Sequence, residues 1–144
     1  MATRLFLSRA VEVLDATVAA AYRQGEGVLR RVGGGRSVRG LLVDQVSVSE
    51  VLLDAYEATD RDVYRDLAHE LMLHAGRVLW NDTRGVFVNR AVGDDDIGLL
   101  RHTLTPFTLN CRATAVLAAQ TPRAKDRSLD AASYVLALRE LQVS

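Results

Sequence analysis

Apolar residues recur at helical spacing through most of this chain, and that period limits the fold more than any other feature. Leu7, Ala10, Leu14, Thr17, Val18, Ala21 and Tyr22 fall on one stripe, which predicts a first helix near the N-terminus. A second helix is expected from about Gln45 to Ala58, with Val48, Val51, Leu52, Ala55 and Tyr56 on one face. Thr59 and Asp60 interrupt it, and a third helix follows at once, carried by Tyr64, Leu67, Ala68, Leu71, Ala75, Val78 and Leu79. Thr59 with Asp62 fits a capping-box-like start, and Asp60 is a competing cap. Helices joined this tightly form an antiparallel αα-hairpin. A fourth helix spans roughly Pro106 to Ala119, since proline's missing N–H costs nothing in a first turn. A fifth follows "QTPRAKD", at about Ser128 to Leu141.

Two irregular stretches separate these helices. In "QGEGVLRRVGGGRSVRG" the glycines break any period, and Val28-Leu29 with Val32 make at most a small hairpin. "WNDTRGVFVNRAVGDDDIG" is a connector in which Val86-Phe87-Val88 fit a short strand. The layout is one helix and then two hairpins, the second echoing the first, with Gln45 and Asn110 in matching places near the starts of the echoed units. Such repeats bury their apolar faces against neighbouring units. The reading is one all-α domain over residues 1–144, an αα-hairpin array.

Eighteen basic and eighteen acidic residues balance, which argues against a chain built to grip nucleic acid. Lys125 is the only lysine. Arginine forks suit carboxylates or phosphates, although a compositional preference for arginine explains the count as well. Cys111 is alone, so no intrachain disulfide forms and nothing points to an oxidising compartment. No segment approaches the roughly 20 apolar residues of a membrane span. The opening "MATRLFLSRAVEVL" shares arginines and a shortage of acids with transit peptides, but its apolar spacing runs unbroken into "DATVAAAY". A cytoplasmic protein with no membrane or nucleic-acid partner is expected.

Motifs that would carry chemistry are weak. In "HELMLH" the two histidines stand five apart, about 140° around a helix, where they do not share a zinc ion as H-E-x-x-H does. "VGGGRSVR" has the glycines of a phosphate loop but lacks its G-K-[ST] ending, leaving at most an anion cradle helped by Arg36 or Arg39. Asp94, Asp95 and Asp96 supply too few loop-spaced oxygens for calcium and read as a solvated run. Cys111, on an apolar helix, reads as a small hydrophobe. No metal, cofactor or catalytic residue is assigned. Asp44 fits an N-cap accepting the N–H of Val46 or Ser47, and Gln45 then lies in the first turn. A helix start that lines a cavity presents caps and ligand contacts together, so Asp44, Gln45 and Asn110 are the ligand-binding candidates.

The stretches "GLLVDQVSVSEVLLDAYEATDRDVYRDLAHELM", "LWNDTRGVFVNR" and "LTPFTLNCRATAVLAAQ" resemble the helical region of YyaL-like proteins. Those proteins carry a thioredoxin-like domain followed by an α/α toroid related to N-acylglucosamine 2-epimerases and glycosidases. The similarity runs from about Gly40 to Gln120. This sequence has neither a thioredoxin domain nor a C-x-x-C, and it supplies about two and a half of the six hairpins in such a ring. The resemblance implies part of a six-hairpin toroid, with Asp44, Gln45 and Asn110 toward the central cavity. No complete acid/base pair maps onto the chain. The leading expectation is a non-catalytic helical module that binds a protein partner or a second copy of itself. The alternative is a sugar-active enzyme of the epimerase or glycosidase type, marked by two titratable groups converging on one cleft.

Overall fold

In the computed structural model, residues 2–31, 35 and 37–120 are described. The expected fifth helix, Val32 and Arg36 lie outside them. The fold is mostly α, with four α-helices and only short strands among the described residues. Helix α1 (Ala2–Ala21) leads into a tight hairpin of β1 (Tyr22–Arg23) and β2 (Gly27–Val28). A second small hairpin, β3 (Arg30–Arg31) with β4 (Ser37–Val38), precedes α2 (Leu42–Thr59). Helix α3 (Asp62–Val78) follows, then a hairpin of β5 (Trp80–Asn81) and β6 (Val86–Phe87). A 3₁₀ turn (Gly98–Arg101) and α4 (Phe107–Gln120) complete the described chain.

The α2–α3 hairpin is the centre of the fold. Asp60 closes it in the left-handed region, φ 54°, and donates its N–H to Tyr56 O at 2.7 Å. Aspartate tolerates that conformation better than most residues. Asp60 is therefore the C-cap of α2 and not a start for α3, whose N-cap is Arg61 without a side-chain bond. The capping-box reading of Thr59 with Asp62 is corrected too. Thr59 Oγ1 donates to Ala55 O at 2.6 Å and accepts the Arg61 N–H at 3.4 Å, so it serves the end of α2.

Two apolar clusters flank this hairpin. One joins Leu42 and Val46 of α2, Met72, Ala75 and Leu79, Phe87, and Ala113, Val116 and Leu117 of α4. The other joins Leu52 and Ala55 to Tyr64, Ala68, Leu71 and Val28, with the half-buried stripe of α1 laid across it. Helix α2 is thus covered on two sides, which is why Leu42, Gln45, Val46 and Ser49 are buried in addition to Leu52 and Ala55. Helix α1 contributes no fully buried residue, and the Tyr64 hydroxyl ties it down by donating to Asp15 at 2.8 Å.

The chain is built twice from one pattern: helix, two-stranded hairpin, helix. Tyr22 pairs with Val28 as Trp80 pairs with Phe87. The N–H of Leu29 bonds Ala21 O at 2.9 Å, and that of Val88 bonds Leu79 O at 2.9 Å. Helices α1 and α3 therefore correspond through Ala21 and Leu79. The echo visible in the sequence matches α2 with α4, and the structure keeps that match; its other half, α3 with the expected fifth helix, falls outside the described residues.

Candidate functional site

Gln45 and Asn110 perform the same task in the two units. Gln45 Oε1 accepts the Val28 N–H at 2.9 Å, while Nε2 donates to Val28 O at 3.0 Å and to Leu41 O at 3.4 Å. Asn110 Oδ1 accepts the Phe87 N–H at 2.9 Å, and its Nδ2 donates to Phe87 O and Pro106 O, both at 3.0 Å. Each amide stands in for a strand neighbour: it satisfies both backbone groups of one hairpin residue and one carbonyl of its own first turn. Both side chains are fully buried. They offer no surface to a ligand in this conformation, and their positions correspond because they close corresponding units.

Asp44 is placed differently from the expected cap. Helix α2 begins at Leu42, its N-cap is Leu41 with no side-chain bond, and Asp44 lies inside the first turn. Leu41 is held instead by a bridge to Arg90, and Leu42 donates its N–H to Asn89 O at 2.9 Å, so backbone pairing starts this helix. The Asp44 carboxylate, mostly buried, accepts a hydrogen bond from the Arg30 guanidinium while its Oδ2 has no partner among the described residues. Negative charge near a helix N-terminus is favourable there. One turn further on, Arg112 of α4 grips Glu50 in a two-pronged pair (2.9 and 2.6 Å) and donates to Ser47 Oγ at 2.9 Å, locking α4 beside α2.

A group of titratable residues gathers under the first hairpin. The Tyr22 hydroxyl donates to Glu70, and burial together with that carboxylate pushes its pKa up to about 12. His74, one turn beyond Glu70, is buried against the hairpin turn. Burial, and then the Arg77 charge, lowers its pKa, against the opposing pull of Glu26, Glu70 and the Gly25 backbone. Acid sensitivity follows, with the sign fixed by proton uptake. The unfolded chain protonates His74 more readily, so stability is expected to fall as pH drops below the ordinary histidine value. Tyr22 acts at the other end: its contribution is complete below pH 10.0 and lost as pH rises toward about 12. Urea titrations across pH, with His74→Gln flattening the acid limb and Tyr22→Phe the alkaline one, measure both. An acid limb unchanged in His74→Gln would remove the histidine from this account.

The weaker motifs are distributed over unrelated places. His69 Nδ1 meets Gln120 Oε1 at 3.4 Å, whereas His74 faces the hairpin. Asp96 takes Arg90 and the Gly93 N–H, both at 2.8 Å, which holds its pKa below the usual carboxylate value, the Arg90 hydrogen bond first. Arg30 and Arg39 are occupied by Asp44 and Glu26. Among the described residues no three metal-ligating side chains converge, and no helix is long and apolar enough to cross a membrane.

An apolar groove of about 310 Å³ runs between α1 and α2, and the sequence pattern alone does not reveal it. Its α1 wall is Ala10, Val13, Leu14, Thr17, Val18 and Ala21; Val28 closes one end, and Ser47, Val48 and Val51 form the α2 wall. The repeat gives these positions counterparts in the second unit. In α3 and at its end they are Ala68, Leu71, Met72, Ala75, Gly76 and Leu79; Val28 corresponds to Phe87, and Val48 and Val51 to Ala113 and Val116. Apart from Gly76 these counterparts are buried: Met72, Ala75, Leu79, Phe87, Ala113 and Val116 form the α3/α4 cleft as one cluster with Leu42 and Val46 of α2, whereas Ala68 and Leu71 meet Leu52 and Ala55 of α2 in the cluster that α1 covers. In the first unit the same surface stays open: Val13 is 54% exposed and Val51 47%. The signal in the sequence is the Gln45–Asn110 correspondence, but openness depends on which neighbours are present.

No family model, curated protein or solved structure matches this chain.

Proposed function

We propose that this chain is a non-catalytic helical interaction module that receives an amphipathic helix in the α1/α2 groove. The observation that carries the reading is the correspondence of that groove with the α3/α4 cleft filled by α2. A surface that buries a helix in one unit has the shape and apolar character to bury one in the other, and a helix laid into a hydrophobic groove is a recurrent mode of recognition. Solvent-facing valines along the groove fit a binding surface better than a finished core. The likeness to the toroid region of YyaL-like proteins belongs to the same proposal, since units of that kind stack by burying their apolar faces against neighbouring units.

A labelled peptide spanning residues 41–59, the helix that fills the corresponding cleft, tests this directly. Saturable binding in fluorescence anisotropy is expected, weakened at least about tenfold by Val13→Glu with Val51→Glu, which corresponds to about 1.4 kcal/mol or more. Absence of saturable binding, or binding indifferent to both substitutions, removes the reading.

The second reading, a sugar-active enzyme, rests on the Tyr22–Glu70–His74 group, where two displaced titrations flank one carboxylate. It requires turnover of a glycan or amino-sugar substrate that Glu70→Gln abolishes while the fold is retained.

A further inference from the structure

We infer that the helix seated in the α1/α2 groove is α4 of a second copy of this chain, so that copies add head to tail. The inference rests on the groove reading above and names its occupant. Helix α2 enters its cleft with Leu42 and Val46, both fully buried, and with Leu53 packed beside them. Carried to α4 at the Gln45–Asn110 correspondence, these positions are Phe107, Cys111 and Ala118. Phe107 is 41% exposed, Ala118 is exposed and Cys111, at the edge of the core cluster, is half-buried, so among the described residues α4 presents a partly open apolar face with the spacing of the face that α2 buries.

Charge does not oppose this pairing. Where α2 meets α4 the contact includes the Arg112–Glu50 ion pair. On the open groove, the counterpart of Arg112 is Ser47; on the open face of α4, the counterpart of Glu50 is Ala115. Both members of the pair are replaced by small uncharged residues, so docking α4 into the groove buries no unmatched charge at that point. An unmatched charge there would oppose association strongly. The groove and the α4 face are different surfaces, which makes the contact heterologous: assembly continues past two copies, into a ring or a filament according to the rotation between them.

Sedimentation of the full chain from low to high micromolar concentration is expected to show species larger than a dimer. Val51→Glu, in the groove, and Ala118→Glu, on α4, are each expected to give a folded monomer, with Val13→Glu and Phe107→Glu as independent replacements at the two surfaces. An equimolar mixture of the Val51→Glu and Ala118→Glu proteins retains one working groove and one working α4 face, so it is expected to form a dimer and stop there. Wild-type protein that stays monomeric or stops at two, single variants that still assemble, or a mixture that fails to pair would each overturn the inference. If the 41–59 peptide binds a wild-type chain that remains monomeric, the groove reading survives and α4 is excluded as its occupant.

Discussion

Replacing Asn110 by Asp is expected to destabilise the protein by about 4 kcal/mol at neutral pH, the cost of a buried charge without a partner. A carboxylate keeps the acceptor for the Phe87 N–H, but it cannot donate to the Phe87 and Pro106 carbonyls, which now face it with like polarity. Asn110→Ala removes the same bonds without adding charge and is expected to cost about 3 kcal/mol, since each buried backbone group left unpaired costs about 1–3 kcal/mol. Gln45→Glu and Gln45→Ala should behave as the matching pair in the first unit. The pH dependence separates charge from lost bonding. Burial raises the introduced carboxyl above its unfolded pKa, so its penalty grows as pH rises through the carboxylate range and shrinks at low pH. Denaturant titrations of each variant against wild type at several pH values measure this. A cost below about 1 kcal/mol for both alanine variants would mean that the amides do not hold the hairpins.

Gly27→Ala is expected to cost about 3 kcal/mol or more, from left-handed backbone and overpacking together. Gly27 sits at φ +72°, and a Cβ there would stand 2.5 Å from Gln45 Oε1 and 2.7 Å from His74 Cδ2. Neither atom can withdraw freely: the Gln45 oxygen is bonded to Val28 and His74 is buried. Gly25, at φ +77°, supplies the control, because a Cβ added to it would have nothing within 4 Å. Gly25→Ala should cost only the backbone component, about 1–2 kcal/mol. Equal losses for the two substitutions, read as shifts in urea midpoint at constant slope, would mean that the packing at Gly27 is not tight.

The helices and their order are legible in the sequence because a 3.6-residue apolar period survives wherever one face is buried. The stripe of α3 is the clearest, and Tyr64, Ala68, Leu71 and Ala75 are indeed buried. The start of α2 is not legible, because the residues that fix it are not its own. Leu41 and Leu42 are held by backbone pairing with Arg90 and Asn89, and a contact so distant in sequence leaves no capping signature. The hairpins are equally hidden: strands of two residues have no period to read, and Val28 pairs with Tyr22, which the apolar stripe assigns to the first helix. Gln45 and Asn110 do correspond, as their matching places in the sequence suggest. Their role is not legible, because a polar residue in a first turn looks the same whether it faces water or a strand. The groove is beyond reach for a different reason: the helical period puts Val48 and Val51 on the buried face with Leu52, and only the arrangement of α1 and α4 leaves Val51 exposed.

The amide clamps also bear on how the chain reaches this state. Gln45 reaches back 17 residues to Val28, and Asn110 reaches back 23 to Phe87. The α2–α3 turn closes over a shorter span still, so most of the architecture arises from nearby closures whose entropic cost is small. Chains dominated by such contacts fold quickly. Beside the α4–α2 contact of Arg112 with Glu50 and Ser47, across 62 and 65 residues, the long-range attachment is that of α1 and the adjoining β1 to α3, through Asp15 with Tyr64 and Tyr22 with Glu70, across 49 and 48 residues. Those bonds require α2 and α3 to be paired already, which makes the arrival of α1 a late event. The helix that forms one wall of the groove is then placed after the α2–α3 pair, and the groove exists only once that docking is made.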